Sequence, residues 1–466
     1  MSTASEDTGG GARGRTWRES VAVYLTPVML SMLILGFASG LPLYMVFQKL
    51  SFWLRDAGIE RSTIGFFYWV TLSYTLKFLW APVVDRVRIP FLYNRLGPRR
   101  SWIVTAISGT VIALLIISQT DPADGLLPVA VGALLLAYSG ATLDVAIDAW
   151  RIESAPNEMQ ANMAAAYSLG YRVAYMTSGL GLAISEWADW SWSFKAMAFA
   201  MAVSALLVLL MKEPKSGITK HELSGSFPEK VARAVVEPFR QMLGRLGLWF
   251  IPVLLVVAIY RLSDFTMGVM ASPLYSDIGY ARDVVGGIQG GPGLIATIAG
   301  LFVGGLAAFR FGVMKALVIG LVITFVSNGA FAWLAATAGP DDAWKLLVAI
   351  VGDNLAGGFV TTVFIAYLSS LVDPENAATQ YALLSSFYAF FAKFLSGFSG
   401  VLADAVGYVW FFIITAAWTF PAAALLAVLL IYGTEAAKGR HKFAERRLAG
   451  DSPDGDETAP PSPDRR

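Results

Sequence analysis

An all-α polytopic membrane protein is the fold class this sequence predicts, and three observations predict it. Hydrophobic residues make up 56% of the chain and charged residues only 15%, far from the balance of a soluble domain. Apolar runs long enough to cross roughly 30 Å of hydrocarbon recur about twelve times. Lysine and arginine alternate across those runs: 25 of the 35 fall in tails and loops on one side, 6 on the other and 4 within the runs. That bias puts both termini in the cytoplasm of a multi-pass protein.

Taken in order, residues 1–16 are polar and Gly-rich, carry Arg13 and Arg15, and read as a disordered tail. The apolar run after them, 21–47, is too long for a signal-peptide core, so it reads as a retained first span. Spans at 62–83, 101–118, 127–150, 163–184 and 193–211 complete a first six-helix bundle over 17–211. The polar stretch 212–247, with Lys212, Lys215, Lys220, Lys230, Arg233, Arg240 and Arg245, reads as a cytoplasmic linker. Spans at 248–270, 286–306, 313–335, 345–370, 378–400 and 408–432 form a second six-helix bundle over 248–435. The tail 436–466 is first basic and then rich in Asp, Pro and Ser, with too little apolar content to fold. Only helices cross singly without exposing unpaired backbone groups, so strands are not expected.

The two halves echo each other. At an offset of 218, Pro156, Ala164, Ser168, Ala174, Ser178, Gly179, Trp192 and Phe194 meet Pro374, Ala382, Ser386, Ala392, Ser396, Gly397, Trp410 and Phe412. Repeated bundles that rock about a site at mid-depth are the architecture of secondary transporters.

Charge inside the spans is where function is sought, because it is costly there unless it pairs or faces water. The bases are Lys77, Arg172, Arg261 and Lys393; the acids are Asp144, Asp148, Asp264 and Asp353. Asp144 and Asp148, four apart, stack on one helix face about 6 Å from each other. Arg151 reaches Asp148 from three residues on, which suits a structural pair or a gate near the span's end. Arg261 and Asp264 are three apart and can satisfy each other. Lys77, Arg172 and Lys393 have no opposite charge within four residues, so each needs a partner from another helix or from a ligand. Bases facing one chamber suit a substrate with carboxylates. A carboxylate such as Asp144 or Asp353 in a partly dry chamber suits proton coupling, with Asp148 beside it. Tyr74, Tyr171, Tyr175 and Tyr388 offer ring faces and hydroxyls to a sugar or peptide, although aromatics at helical spacing also serve packing.

Other chemistry finds little support. Glycines at 36, 40, 179, 181, 286–293, 357, 358, 397 and 400 read as close helix contacts. None belongs to a phosphate loop, and there is no serine elbow or His-Glu-x-x-His helix. With no cysteine and only His221 and His441, both in polar stretches, no metal site or cofactor is expected. A net charge of +1 gives no nucleic-acid footprint. The open alternatives are a carrier of some anionic solute, such as an acyl-CoA or organic anion, and a non-transporting receptor or scaffold whose charges pair internally. A monomer is expected.

Several stretches in combination resemble a known family. Gly36-Phe-Ala-Ser-Gly-Leu-Pro42, Tyr74-Thr-Leu-Lys-Phe-Leu-Trp-Ala-Pro82 with Asp85-Arg86, Asp144-Val-Ala-Ile-Asp-Ala-Trp-Arg151, Gly170-Tyr-Arg172 and Asp353-Asn-Leu-Ala-Gly-Gly358 with Ala378-Thr-Gln-Tyr-Ala-Leu-Leu-Ser385 look like the AmpG-type muropeptide permeases of the major facilitator superfamily. The resemblance runs from about 30 to 432. It implies that superfamily's two six-helix bundles in a bacterial inner membrane, and proton-driven import of anhydro-muropeptides during cell-wall recycling. It also implies that Asp85 and Arg86 belong to the superfamily's loop 2–3 signature, a gate. Leu143 stands where the family commonly has Gln, and the segment 152–160 lacks the usual Glu-Arg-Gly ending, so the likeness is weakest on substrate.

Overall fold

The computed structural model describes residues 26–154, 159–214, 240, 243–244, 247–372 and 377–431. Every regular element among these residues is helical, and they make twelve rods in the order of the apolar runs. The first half comprises α1 (Pro27–Asp56), α2 (61–86), α3 (Pro98–Ser118), α4 (Leu126–Ser154), α5 (Gln160–Trp187) and α6 (Trp190–Leu210). The second comprises α7 (Gly247–Ile278), α8 (Arg282–Phe311), α9 (Val313–Thr337), α10 (Ala343–Leu371), α11 (Ala377–Ser396) and α12 (Ser399–Ile431). Nine are by themselves long and apolar enough to cross a bilayer. The other three, α2, α5 and α11, are the helices that carry Lys77, Arg172 and Lys393. The tails expected at 1–16 and 436–466, and most of the linker 212–247, lie outside the described residues.

The first span ends later than expected. The apolar run is read as ending at 47, two residues before Lys49. In the fold Leu50, Phe52, Trp53 and Leu54 are all buried, so their burial carries α1 on to Asp56. Lys49 therefore lies inside the protein and only 2% exposed.

Several rods are broken where the sequence weakens them. The last turn of α2, Ala81–Arg86, follows short 3-10 turns at Tyr68–Thr71 and Lys77–Leu79. Pro82 opens that turn, where a missing N–H is harmless. A break at Tyr260 and Arg261 divides α7, and α1 and α8 each contain one π turn, Met45–Lys49 and Gln289–Gly293. In α12 the chain turns at Gly407, whose φ of 75° an L side chain resists.

Small residues let the rods approach, as they do in lipid, where apolar contact alone discriminates little. Gly36 faces the backbone of Tyr167 and Gly170 that of Leu33, joining α1 to α5. Gly300 and Gly304 on α8 meet the backbones of Leu355 and Phe359 on α10. Between halves, Gly179 of α5 abuts Gly286 of α8, and Gly65 of α2 abuts Gly397 and Gly400.

These contacts join the halves at one end. An apolar core beginning at Met29 and Met32 runs through Trp53 and Phe194 and continues into Met270, Tyr275, Phe331 and Phe412 of the second half. A separate core around Val256, Tyr260, Leu317, Phe359, Phe364 and Leu368 stays within the second half. The shared core lies toward the Asp56 end, so the halves are closed together there.

Candidate functional site

The charges of the first half converge. Asp144 of α4 accepts a hydrogen bond from Ser39 Oγ of α1, and Lys77 Nζ of α2 lies 3.4 Å from its other oxygen. Tyr167 OH donates to Ser39 Oγ at 2.9 Å, and Tyr171 OH sits 2.8 Å from that atom. A hydroxyl has one proton to give and two lone pairs. With that proton aimed at Asp144, Ser39 accepts from both tyrosines, and a relay of hydroxyls leads from α5 to the carboxylate. Lys77 also lies 3.8 Å from Asp148, and Arg151 lies 3.6 Å from Asp148. The Asp148 side chain is 51% exposed and that of Lys77 31%, so the cluster borders accessible space although it sits within the rods. Lys77, isolated in sequence, thus finds its partner on another helix.

Lys393 crosses from the second half. Its Nζ donates to the carbonyl of Thr71 at 3.2 Å and lies 5.2 Å from the Phe47 ring centroid and 5.8 Å from that of Tyr74. It is buried against α1 and α2 and within electrostatic reach of Lys77 and Asp144. Tyr74 OH is buried without a hydrogen-bond partner among the described residues.

Arg172 is different. Half-buried in the middle of α5, it makes no ion pair or hydrogen bond among the described residues, while its charge reaches Tyr44 and Tyr175, whose rings lie 4.8 Å apart. Tyr175 is in turn within electrostatic reach of Asp353 across the seam. Asp353 accepts from Ser327 Oγ at 3.0 Å and senses Asp264 and Arg261, which pair with each other at 3.5 Å. Arg261 and Asp353 therefore share one electrostatic neighbourhood, which Arg172 borders through Tyr175, and Lys77, Asp144 and Lys393 form another. Tyr388 stands apart, packed edge-on against Phe364 at 5.0 Å in the core of the second half.

The two ends of the molecule use charge differently. At the Asp56 end, ion pairs cross between halves. Arg282 of α8 bonds Asp56 of α1 at 2.7 Å and the Ser185 carbonyl of α5 at 2.6 Å, with Glu186 at 3.8 Å and the Trp190 ring at 5.3 Å. Arg55 pairs with Asp277, to which Tyr408 OH also donates at 2.7 Å, and Arg61 pairs with Asp404 at 2.7 Å. At the other end the pairs stay within the first half. Glu213 accepts the backbone N–H groups of Arg99 and Arg100 at 2.6 and 3.0 Å, and Arg99 bonds Glu153 at 2.6 Å. Burial pushes the Glu213 carboxyl up, against the pull of those two amides. Among the described residues Arg151 pairs with Asp148 of its own helix, and the side chains of Asp85 and Arg86 lie outside the described residues.

Sequence reading passes over the Asp56-end pairs because their members lie 96 to 343 positions apart. Their only trace is that Arg55, Arg61 and Arg282, three of the few bases on the weakly basic side, sit at span ends. Removing one should loosen this end. Arg282→Gln is expected to shift the halves apart by about 1 kcal/mol, roughly fivefold in population. A cysteine placed at Ser185 would read this as faster labelling by a water-soluble maleimide, and an unchanged rate would deny the pairs a closing role.

Two helical halves shut at one end around charge at mid-depth have the architecture of a membrane transporter. The family model described as Major Facilitator Superfamily matches residues 28–392 and 253–463. The chain is 32% identical over 410 residues to the anhydromuropeptide permease of Escherichia coli K12, covering 87% of this chain and 80% of that protein. It is 32% identical over 399 residues to the putative transporter AmpG 4 of Rickettsia felis, covering 85% and 95%. Among solved structures, a POT family transporter in complex with a thioalcohol-conjugated peptide superposes with a TM-score of 0.65 at 12% identity, over 87% of this chain and 96% of that one. The nucleoside transporter NupG superposes with a TM-score of 0.60 at 15% identity, over 87% and 100%. These two show the fold alone. The chain belongs to the major facilitator superfamily and, within it, to the AmpG-type permeases.

Proposed function

We propose that this protein is a proton symporter that imports anhydro-muropeptides, or closely similar anionic sugar peptides, across a bacterial inner membrane. The observation that carries the reading is Arg172. A guanidinium held within a transmembrane helix with no ion pair or hydrogen bond among the described residues is an electrostatic vacancy for a carboxylate. The peptide part of a muropeptide supplies carboxylates, and its sugars can lie on ring faces such as Tyr44, Tyr171 and Tyr175. The name of the Escherichia coli relative supports this class of cargo. Asp144, held by Ser39 and Lys77, is the proton carrier, with Asp353 in the corresponding helix of the other half as the second.

The bias of Lys and Arg puts both termini in the cytoplasm and the Asp56 end at the periplasm. On that orientation the fold is closed to the outside, and alternating access requires the Asp56-end pairs to part. The protein works as a monomer, performs no covalent chemistry, and binds no nucleic acid. A ligand-stabilisation screen of the purified protein tests the cargo. Anhydro-muropeptides should raise the unfolding temperature, whereas acyl-CoAs, simple organic anions and neutral sugars should not; stabilisation by acyl-CoA alone would reassign the substrate.

A further inference from the structure

Lys49 is 2% exposed and ends the π turn of α1. Its ammonium donates to Gln289 Oε1 at 2.8 Å, and Gln289, 7% exposed, begins the π turn of α8. Two uncommon turns, one in each half, thus meet through a single hydrogen bond across the seam, and π turns inside α-helices concentrate at functional positions.

A carboxamide offers this ammonium a dipole and no counter-charge. The turn containing Lys49 packs against α2, α4, α5 and α7 and is bonded to α8. Charged groups on those helices include Lys77, Asp144 and Asp148, Arg172, Arg261 with Asp264, Asp277, and Arg282 with Asp283. Their tyrosines near this level are Tyr68, Tyr175 and Tyr275. None of these makes an ion pair or hydrogen bond with Lys49 among the described residues. Lys393, the other buried lysine, has a carbonyl, two ring faces and a nearby carboxylate. Lys49 has none of these, and a lone buried ammonium is an arrangement proteins relieve by shedding the proton.

We propose that Lys49 is a proton-binding site of its own, separate from Asp144 and Asp353, whose occupancy is linked to opening of the Asp56 end. With the halves closed there, Lys49 is the neutral amine bonded to Gln289. As they part, water from that side reaches Nζ, which takes up one proton; on closing, the proton returns to that water. Acid on the Asp56 side therefore favours the open mouth. The proposal needs only that the halves part at this end, so it goes beyond the cargo and the role given to Asp144.

The chain has no native cysteine, so one reporter reads the mouth without background. Ser185→Cys suits this, because Ser185 is 1% exposed and its carbonyl is bonded by Arg282 across the seam. The full chain is reconstituted in nanodiscs with no substrate present. Its labelling by a water-soluble maleimide is measured across pH and normalised at each pH to the unfolded protein, which removes the thiol's own titration. A wrong cargo assignment leaves this result untouched. Labelling should rise as pH falls, by up to about tenfold per pH unit, the limit for one linked proton. Lys49→Met should stay protected with no pH dependence. Lys49→Arg, which cannot shed its charge, should label rapidly at every pH. The wild-type pH slope persisting in Lys49→Met, or Lys49→Arg as protected as the wild type at neutral pH, would overturn the proposal.

Discussion

Arg172→Gln is expected to weaken binding of an anhydro-muropeptide by roughly 30-fold or more while leaving the fold intact. Arg172 makes no ion pair or hydrogen bond among the described residues, so its loss leaves no described partner unpaired. A desolvated, charge-assisted contact to a carboxylate is worth about 2–5 kcal/mol when one partner is removed, which sets the size of the effect. Glutamine keeps a polar group of similar reach and discards only charge and the bidentate fork. Titration calorimetry on the purified variant checks the affinity, and its unfolding temperature checks the fold. A wild-type affinity would mean that Arg172 faces something other than the cargo. A neutralised analogue of the substrate should bind wild type and variant alike.

Asp144→Asn should separate binding from pumping. The amide keeps the shape of the carboxylate, can still accept from Ser39, and leaves Lys77 with Asp148 at 3.8 Å. It cannot take up a proton. Accumulation of substrate against its gradient should vanish, while exchange of labelled for unlabelled substrate across the membrane continues. Loss of both would mark Asp144 as structural, and retention of both would hand the proton to Asp353 or another group.

Much of the fold was legible in the sequence because lipid imposes one rule: a helix must supply its own backbone hydrogen bonds and show apolar side chains for about 20 residues. Twelve runs and the break between the halves followed from that rule. It misplaced the end of α1, where a run of apolar residues resumes beyond Lys49 and only packing against the other half explains a buried lysine. The in-helix pairs Asp148 with Arg151 and Arg261 with Asp264 were visible as spacings of three. The need of Lys77, Arg172 and Lys393 for distant partners was visible as isolation. Which partners they took was not. Asp144 for Lys77, the Thr71 carbonyl for Lys393 and no partner among the described residues for Arg172 depend on how α2, α4, α5 and α11 are turned about their axes, and a single sequence carries no signal for that. The closed Asp56 end was illegible for the same reason, since the ion pairs of Arg55, Arg61 and Arg282 each join one half to the other.

Uptake by the purified protein in proteoliposomes, measured with labelled anhydro-muropeptide under an imposed pH difference, addresses the central claim most directly. With the substrate-entry side acidic, label should accumulate above its outside concentration, and dissipating the pH difference should return it to equilibrium. Accumulation that is indifferent to the pH difference would contradict proton coupling, and no uptake at all under any gradient would contradict the cargo.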